Sequence, residues 1–326
     1  MRPRPRATPA RATATVLAAA GLLLAGCQSG SATAGTLDVL ASFYPLQLVS
    51  ERVGGDRVTV TSLTPPGAEP HDVELSPAQV AKLSGADLVV YLSGFQAAVD
   101  EAVTQAGPSD ALDAAEVVHL EPAGEADESH DEHAHDGHTH DEETHDGEAH
   151  EHAHGELDPH FWLDPTRLAA LVPAVEARLA ALDPEGAEQY AANAAELTRE
   201  LTALDEEYTV ALQTCAQHVF VTSHAAFGYL ASRYDLEQVA ISGVDPEAEP
   251  SPARLAQVER EVQEHGVSTI FFETLVSPKV AQTLAADLGV RTDVLDPIEG
   301  IAEDGGDYFS VARENLEALR VALSCS

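Results

Sequence analysis

The stretch Tyr190–Leu212, "YAANAAELTRELTALDEEYTVAL", decides how the chain is organised. Its apolar positions recur every three or four residues, at Tyr190, Ala194, Leu197, Leu201, Leu204, Tyr208 and Leu212. This period places them on one face of a helix. A helix over residues 184–214 would be about 45 Å long, which is longer than a small domain is wide. We therefore predict one long rigid helix that joins two lobes.

Strand-like and helix-like segments alternate on both sides of this helix. Before it, the expected strands are "TLDVLASFYPL", "RVTVTSL", "ADLVVYLSG" and "EVVHL" (residues 116–120). After it, they are "HVFVTS", "EQVAIS", "VSTIFFE" and "RTDVLDP". This rhythm predicts an α/β fold of two parallel-sheet lobes. Residues 68–92 resemble residues 248–272, so we expect the lobes to be a pseudo-repeat.

The first 27 residues have the pattern of a lipoprotein signal peptide. Four arginines precede a short apolar run that ends in "LAGC" at Cys27. We expect cleavage before Cys27, acylation of its thiol, and residues 28–35 as a tether to the outer face of the cell membrane. The expected lobes are then residues 36–183 and 215–326, with the linking helix at 184–214.

The composition is strongly acidic, with a formal net charge of −38. No basic stripe is present, which excludes nucleic acid as a partner. Residues 123–156 lack large apolar side chains and predict a disordered loop within the first lobe. The loop carries nine histidines, which we expect to form an accessory metal-binding segment; the alternative is a solvated spacer. They are His130, His133, His135, His138, His140, His145, His150, His152 and His154.

Two further cysteines, Cys215 and Cys325, follow the signal segment. In an exported protein they predict a disulfide that closes a long loop. Two free thiols acting as metal ligands are the alternative, but neither cysteine has the spacing of a zinc site.

Three histidines outside the loop follow strand-like segments. They are His71, His160 and His224, and ligands of open α/β sheets collect at the carboxyl ends of strands. We expect these imidazoles to meet in one metal site between the lobes. Asp296 is the first candidate for a fourth ligand, Glu273 the second and Glu69 the third. Three imidazoles and one carboxylate favour Zn²⁺ in tetrahedral geometry.

Four motifs in this order carry a family resemblance: "GAEPHDVELSP", "LDPHFWLDP", "VTSHAAFGYLA" and "LDP…GDYFSVARENLEAL". From Thr36 onward, the chain resembles the metal-binding lipoproteins of bacterial zinc ABC importers, the cluster 9 (TroA-like) solute-binding proteins. The resemblance implies two α/β lobes joined by one long helix, with His71, His160 and His224 as ligands. It implies Asp296 as the fourth ligand, a position that water occupies in some zinc-type members. It also implies an acidic His-rich loop, typical of zinc-type members.

These observations predict an extracytoplasmic zinc-binding component of an ABC importer. It would be a lipid-anchored monomer that delivers Zn²⁺ to a membrane permease and catalyses no reaction. The alternatives are a manganese-type member of the same family, a zinc hydrolase or an adhesin. No HExxH or GxSxG motif supports a hydrolase.

Overall fold

Four parallel strands form the first sheet in the computed structural model, which describes residues 36–123, 157–301 and 306–326. They are β1 (Leu37–Ala41), β2 (Val58–Ser62), β3 (Leu88–Tyr91) and β4 (Ala111–Asp113). Their order in the sheet is β2-β1-β3-β4. The crossovers therefore diverge between β1 and β3, which leaves a crevice at the carboxyl ends of those strands.

The second sheet repeats this arrangement. Its strands are β5 (Val219–Thr222), β6 (Glu237–Ala240), β7 (Thr269–Phe272) and β8 (Arg291–Val294). All are parallel, in the order β6-β5-β7-β8. The prediction of two pseudo-repeated parallel α/β lobes is therefore confirmed.

Helices connect the strands of each lobe. Those before the linking helix are α1 (Tyr44–Gly54), α2 (Pro77–Leu83), α3 (Ala97–Ala106) and α4 (Pro165–Leu182). Those after it are α6 (Gly228–Arg233), α7 (Pro252–His265), α8 (Lys279–Leu288) and α9 (Tyr308–Ala322). Sequence signals mark their starts: Ser76 and Ser251 cap α2 and α7, each followed by proline at the first helical position.

The linking helix α5 (Ala187–Leu212) has 26 residues and is about 39 Å long. All seven residues of its predicted apolar stripe are buried. The helix packs against α1 and α4 of the first lobe and α9 of the second. Its buried Asp205 also binds both Arg233 and Tyr234 of the second lobe. The long helix that joins the lobes is therefore confirmed, and its packing on both lobes restricts their relative motion.

The disulfide between Cys215 and Cys325 is present. It joins the segment just after α5 to the end of the chain, 110 residues later in the sequence. The predicted pairing is confirmed, and it fixes the carboxyl end of α9 beside that of α5.

One predicted strand is wrong. Residues 116–120 form no strand, and the fourth strand of the first sheet is Ala111–Asp113. The Asp113 carboxylate accepts a hydrogen bond from the Ala115 N–H and so starts a short 3-10 turn, which ends strand pairing before Val117.

Some predictions lie outside the described residues. These are the signal segment with Cys27, the tether at residues 28–35, and the His-rich loop apart from Ala123. Within the described ranges, no helix has both the length and the apolar character needed to cross a membrane.

Candidate metal centre

His71 lies in the long loop between β2 and α2. The Glu69 carboxylate shapes this loop by accepting hydrogen bonds from the backbone N–H groups of His71 (3.1 Å) and Asp72 (3.2 Å). The His71 ring packs edge-on against Phe95, with 4.6 Å between the ring centroids. Its Nε2 atom is buried and has no hydrogen-bond partner among the described residues. That nitrogen is available to a ligand.

His160 is fully buried and precedes the 3-10 turn Phe161–Leu163 that leads into α4. Oδ1 of Asp158 lies 2.9 Å from its backbone N and 2.7 Å from its Nδ1. A carboxylate can only accept hydrogen bonds, so Nδ1 carries a proton, and Nε2 has the lone pair when the ring is neutral. A carboxylate behind an imidazole in this way is the usual support of a metal-binding histidine.

His224 follows β5 and has the same kind of support. Its Nδ1 lies 2.7 Å from Oε1 of Glu273, which directly follows β7. The Ser223 hydroxyl donates a second hydrogen bond to the same oxygen, at 2.6 Å. Since Nδ1 is the donor, Nε2 of His224 also faces the cleft and has a lone pair for a metal ion when the ring is neutral.

Glu299 completes the cluster from the loop between β8 and α9. Its Oε1 atom lies 3.1 Å from Nε2 of His160, 3.4 Å from that of His224 and 3.6 Å from that of His71. The four side chains each offer one ligand atom, and these atoms lie within 4.8 Å of one another. No other such group of three or more ligands is found in the described ranges.

The spacing of these atoms fits a tetrahedral cation. Ligands about 2.05 Å from a zinc ion at the corners of a tetrahedron are about 3.3 Å apart. The distances from Glu299 Oε1 to the imidazoles, 3.1–3.6 Å, bracket that value. His71 Nε2 and Glu299 Oε1 are also buried without a well-formed hydrogen bond among the described residues. Buried polar atoms are rarely left unpaired, and a metal ion would satisfy both.

The fourth member of the cluster is Glu299, and Asp296, the first candidate for a fourth ligand, is not part of the cluster. The Asp296 carboxylate accepts hydrogen bonds from the Thr274 hydroxyl (2.7 Å) and the Ile298 N–H (2.8 Å). It therefore closes the turn that presents Glu299. The other two candidates also lie outside the cluster: Glu273 supports His224, and Glu69 shapes the His71 loop.

The turn that presents Glu299 has an unusual backbone. Ile298 has a φ of 55°, in the left-handed region that β-branched residues rarely adopt. Its side chain is buried, and the Pro297 carbonyl accepts a 2.7 Å hydrogen bond from Trp162 Nε1. These contacts hold the chain in a reversal that directs Glu299 inward. The only sequence signal that pointed to Glu299 is that it is a second carboxylate in the same loop, three residues after Asp296.

The pKa values of the cluster are strongly shifted. Burial alone would lower the pKa of His224, but Glu273 and Glu299 outweigh it and raise that pKa to about 10. His160 also has a raised pKa because Asp158 and Glu299 outweigh burial. Burial would raise the pKa of Glu299, yet the three imidazoles hold it well below its usual range. The metal-free cluster therefore holds protons between imidazole and carboxylate, and a bound cation must displace them.

Comparisons with known proteins agree with this geometry. The zinc-binding lipoprotein AdcA of Streptococcus pneumoniae is 37% identical over 312 residues, covering 92% of this chain and 58% of that protein. This chain thus spans little more than half the length of the streptococcal relatives. The high-affinity zinc uptake system protein ZnuA of Bacillus subtilis is 37% identical over 322 residues, covering 94% of this chain and 96% of that protein.

Two solved structures are similar along their whole length. The Zn(II)-bound ZnuA-like domain of AdcA from Streptococcus pneumoniae is 34% identical, with a TM-score of 0.70, and covers 89% of this chain and 99% of that one. The laminin-binding protein Lmb of Streptococcus agalactiae, described as bifunctional with adhesin and metal transporting activity, is 30% identical, with a TM-score of 0.74 and coverage of 88% and 99%.

The model of one protein family, described as "Zinc-uptake complex component A periplasmic", matches residues 39–322. Because this match covers most of the chain, the protein belongs to the ZnuA family.

Proposed function

We propose that the protein is the extracytoplasmic zinc-binding component of an ABC importer. It captures Zn²⁺ between its two lobes and delivers the ion to a membrane permease. The observation that carries this proposal is the largely buried cluster of His71, His160, His224 and Glu299. Their four ligand atoms lie close enough together to bind a single ion. Membership of the ZnuA family and the names of the relatives support zinc as the cargo.

The ligand set favours zinc over manganese, the cargo of the manganese-type alternative. Three imidazole nitrogens and one carboxylate oxygen are ligands that Zn²⁺ accepts in tetrahedral geometry, whereas Mn²⁺ prefers more oxygen ligands. Asp296 is not among the side chains whose ligand atoms converge, and its carboxylate instead accepts hydrogen bonds from Thr274 and Ile298.

We propose no catalytic activity. A zinc hydrolase keeps one coordination position open for water and substrate. Here the four protein side chains would fill a tetrahedral coordination shell, and three of them are buried. The site therefore holds an ion as cargo and leaves no position for a second reactant.

Release of the ion requires the ligand loops to separate. The His71 loop and the Glu299 loop are joined directly, since the Gly67 N–H donates a 2.8 Å hydrogen bond to the Ile301 carbonyl. The linking helix resists a wide hinge opening, so we propose that the permease distorts these two loops rather than opening the whole cleft.

The remaining parts of the proposal concern the segments outside the described residues. Cys27 would carry a lipid that anchors the protein, as a monomer, to the outer face of the cell membrane. The nine histidines of the loop would bind zinc weakly and exchange it quickly, because any chain segment that must be ordered around a metal loses conformational entropy.

A zinc titration of the full mature chain tests the function. We expect one tight site that is lost in His71→Ala and kept when residues 124–156 are deleted. Pro122 and Leu157 pair as a β-bridge, so a short linker can close that deletion. Deletion of the gene should impair growth when zinc is scarce, and that result would support import. A tight site that survives His71→Ala, or turnover of an ester or peptide, would contradict the proposal.

A further inference from the structure

We propose that Gln96 is a positioning residue for His71 and that it thereby sets the affinity of the site for zinc. The inference rests on the proposed function, because it concerns the same ion and the same cluster. Gln96 lies outside the four-residue cluster and offers no ligand to it.

The three imidazoles are not supported in the same way. His160 and His224 are each fixed by a carboxylate on Nδ1, whereas no carboxylate contacts Nδ1 of His71 in the described part of the chain. A metal-binding histidine needs a partner that fixes its orientation. His71 must therefore be oriented by its backbone and by the packing of its ring.

Gln96 supplies the backbone contact. Its side chain is 1% exposed, and its Nε2 donates a 2.9 Å hydrogen bond to the carbonyl of Pro70, directly before His71. The same amide donates at 3.0 Å to the Thr64 hydroxyl, which in turn donates at 2.8 Å to the Ser42 carbonyl. Gln96 thus ties the His71 loop to the ends of β1 and β2.

The position of Gln96 in the fold makes this contact specific. It is the residue before α3, where a side chain that caps the helix is favoured, yet its side chain caps nothing. The amide instead extends toward the loop, and the preceding residue, Phe95, packs against the His71 ring. Two consecutive residues therefore hold His71: Gln96 through the carbonyl of the preceding residue, Pro70, and Phe95 through the imidazole ring.

Stability alone does not account for a glutamine here. Its Oε1 atom is buried and has no hydrogen-bond partner among the described residues, which is unfavourable for folding. A methionine of similar size would remove that unpaired acceptor together with the donor. Gln96→Met should therefore fold, while the loop before His71 loses its tether.

The test is a double-mutant cycle with zinc and the full mature chain. Gln96→Met should weaken zinc binding about 10-fold, the lower end of the effect of losing an outer-shell partner. In a His71→Ala background the same change should alter the weaker, residual zinc affinity of the remaining ligands by less than about twofold, because the ligand that Gln96 positions is absent. The visible absorption of Co²⁺ bound in place of zinc should shift in Gln96→Met alone, since the ligand geometry changes.

Gln79→Met is the matched control. Gln79 is also a glutamine of the first lobe whose Nε2 donates to a backbone carbonyl, that of Leu63 at 2.9 Å, but it does not tether His71. We expect it to lower the melting temperature and leave zinc affinity unchanged. Wild-type affinity in Gln96→Met, or an equal loss with and without His71, would overturn the inference. Absence of tight zinc binding by the wild-type chain would instead overturn the proposed function.

Discussion

The Nε2 atoms of His160 and His224 lie 3.4 Å apart, although the residues are 64 positions apart in the sequence. Each ring has its Nδ1 proton committed to a carboxylate, so two lone pairs would face each other if both rings were neutral. That arrangement is unfavourable without a cation between them. The fold therefore holds the two imidazoles in an arrangement that becomes favourable only when a proton or a metal ion lies between their Nε2 atoms.

The identity of the fourth ligand gives the first prediction. Glu299→Gln should weaken zinc binding by more than the roughly 10–100-fold that loss of an outer-shell partner costs, because it removes a charged ligand. Asp296→Asn should have a smaller effect, since the asparagine Oδ1 can still accept the hydrogen bond from the Ile298 N–H. Competition with a chelator measures both affinities.

The comparison between these two variants is internal, because both remove one carboxylate from the same loop. A larger loss in Asp296→Asn than in Glu299→Gln would restore Asp296 as the ligand. Circular dichroism of both variants should show native secondary structure, which separates lost coordination from lost folding.

The carboxylates behind the imidazoles give the second prediction. Asp158→Asn and Glu273→Gln should each reduce zinc affinity by about 10–100-fold while the stoichiometry stays at one ion. An amide can still accept from Nδ1, but it does not stabilise the positive charge that the ring shares with the metal. Calorimetric titration checks the affinity and the stoichiometry together; unchanged affinity in both variants would contradict this role.

The sequence was sufficient to find the three histidines and insufficient to find Glu299. Each histidine follows a strand, and the parallel topology brings strand ends to one crevice. Asp296 was expected as a ligand because it ends the last strand in the same way. The left-handed conformation of Ile298 then redirects the chain, and a buried β-branched residue gives no local signal for such a turn.

The fold could be predicted from the sequence where a periodic apolar pattern continues over many residues. The apolar stripe correctly predicted that α5 is a helix and which of its faces is buried, because seven positions share one helical period. The short segment at residues 116–120 was wrong because Val117 and Val118 favour a strand only locally. The Asp113 turn and the pairing of Ala111–Asp113 with β3 decide the actual strand, and these depend on tertiary contacts.

The disulfide gives the third prediction. Replacing Cys215 and Cys325 by serine should lower the free energy of unfolding by about 2–4 kcal/mol, because the unfolded chain gains the freedom of a long open loop. Zinc affinity should be unchanged, since the bridge joins α5 to the end of α9, away from the ligand loops. Urea unfolding of the metal-free protein measures the first quantity and a chelator competition the second; a large loss of affinity would show that the bridge supports the site.

The raised histidine pKa values predict opposite effects of pH on the metal-free and zinc-bound protein. The pKa of His224 is raised to about 10, from about 6.5 in an unfolded chain. The folded metal-free protein therefore binds a proton that the unfolded chain releases in this window, and the cluster's contribution to stability falls as pH rises through it. The low pKa of Glu299 matters at acidic pH. Its contribution to the stability of the folded protein is lost as pH falls below about 4.3.

Zinc must displace the protons on the imidazoles, so its affinity should rise with pH over the window in which metal-free stability falls. The increase in melting temperature on adding saturating zinc should be larger at about pH 8 than at about pH 6, where protons compete more strongly.

Calorimetry in buffers of different ionisation enthalpy should also detect proton release on binding. In Glu273→Gln, whose His224 lacks its carboxylate, fewer protons should be released at neutral pH. A zinc-induced shift that is independent of pH would show that the cluster is already deprotonated before the ion arrives.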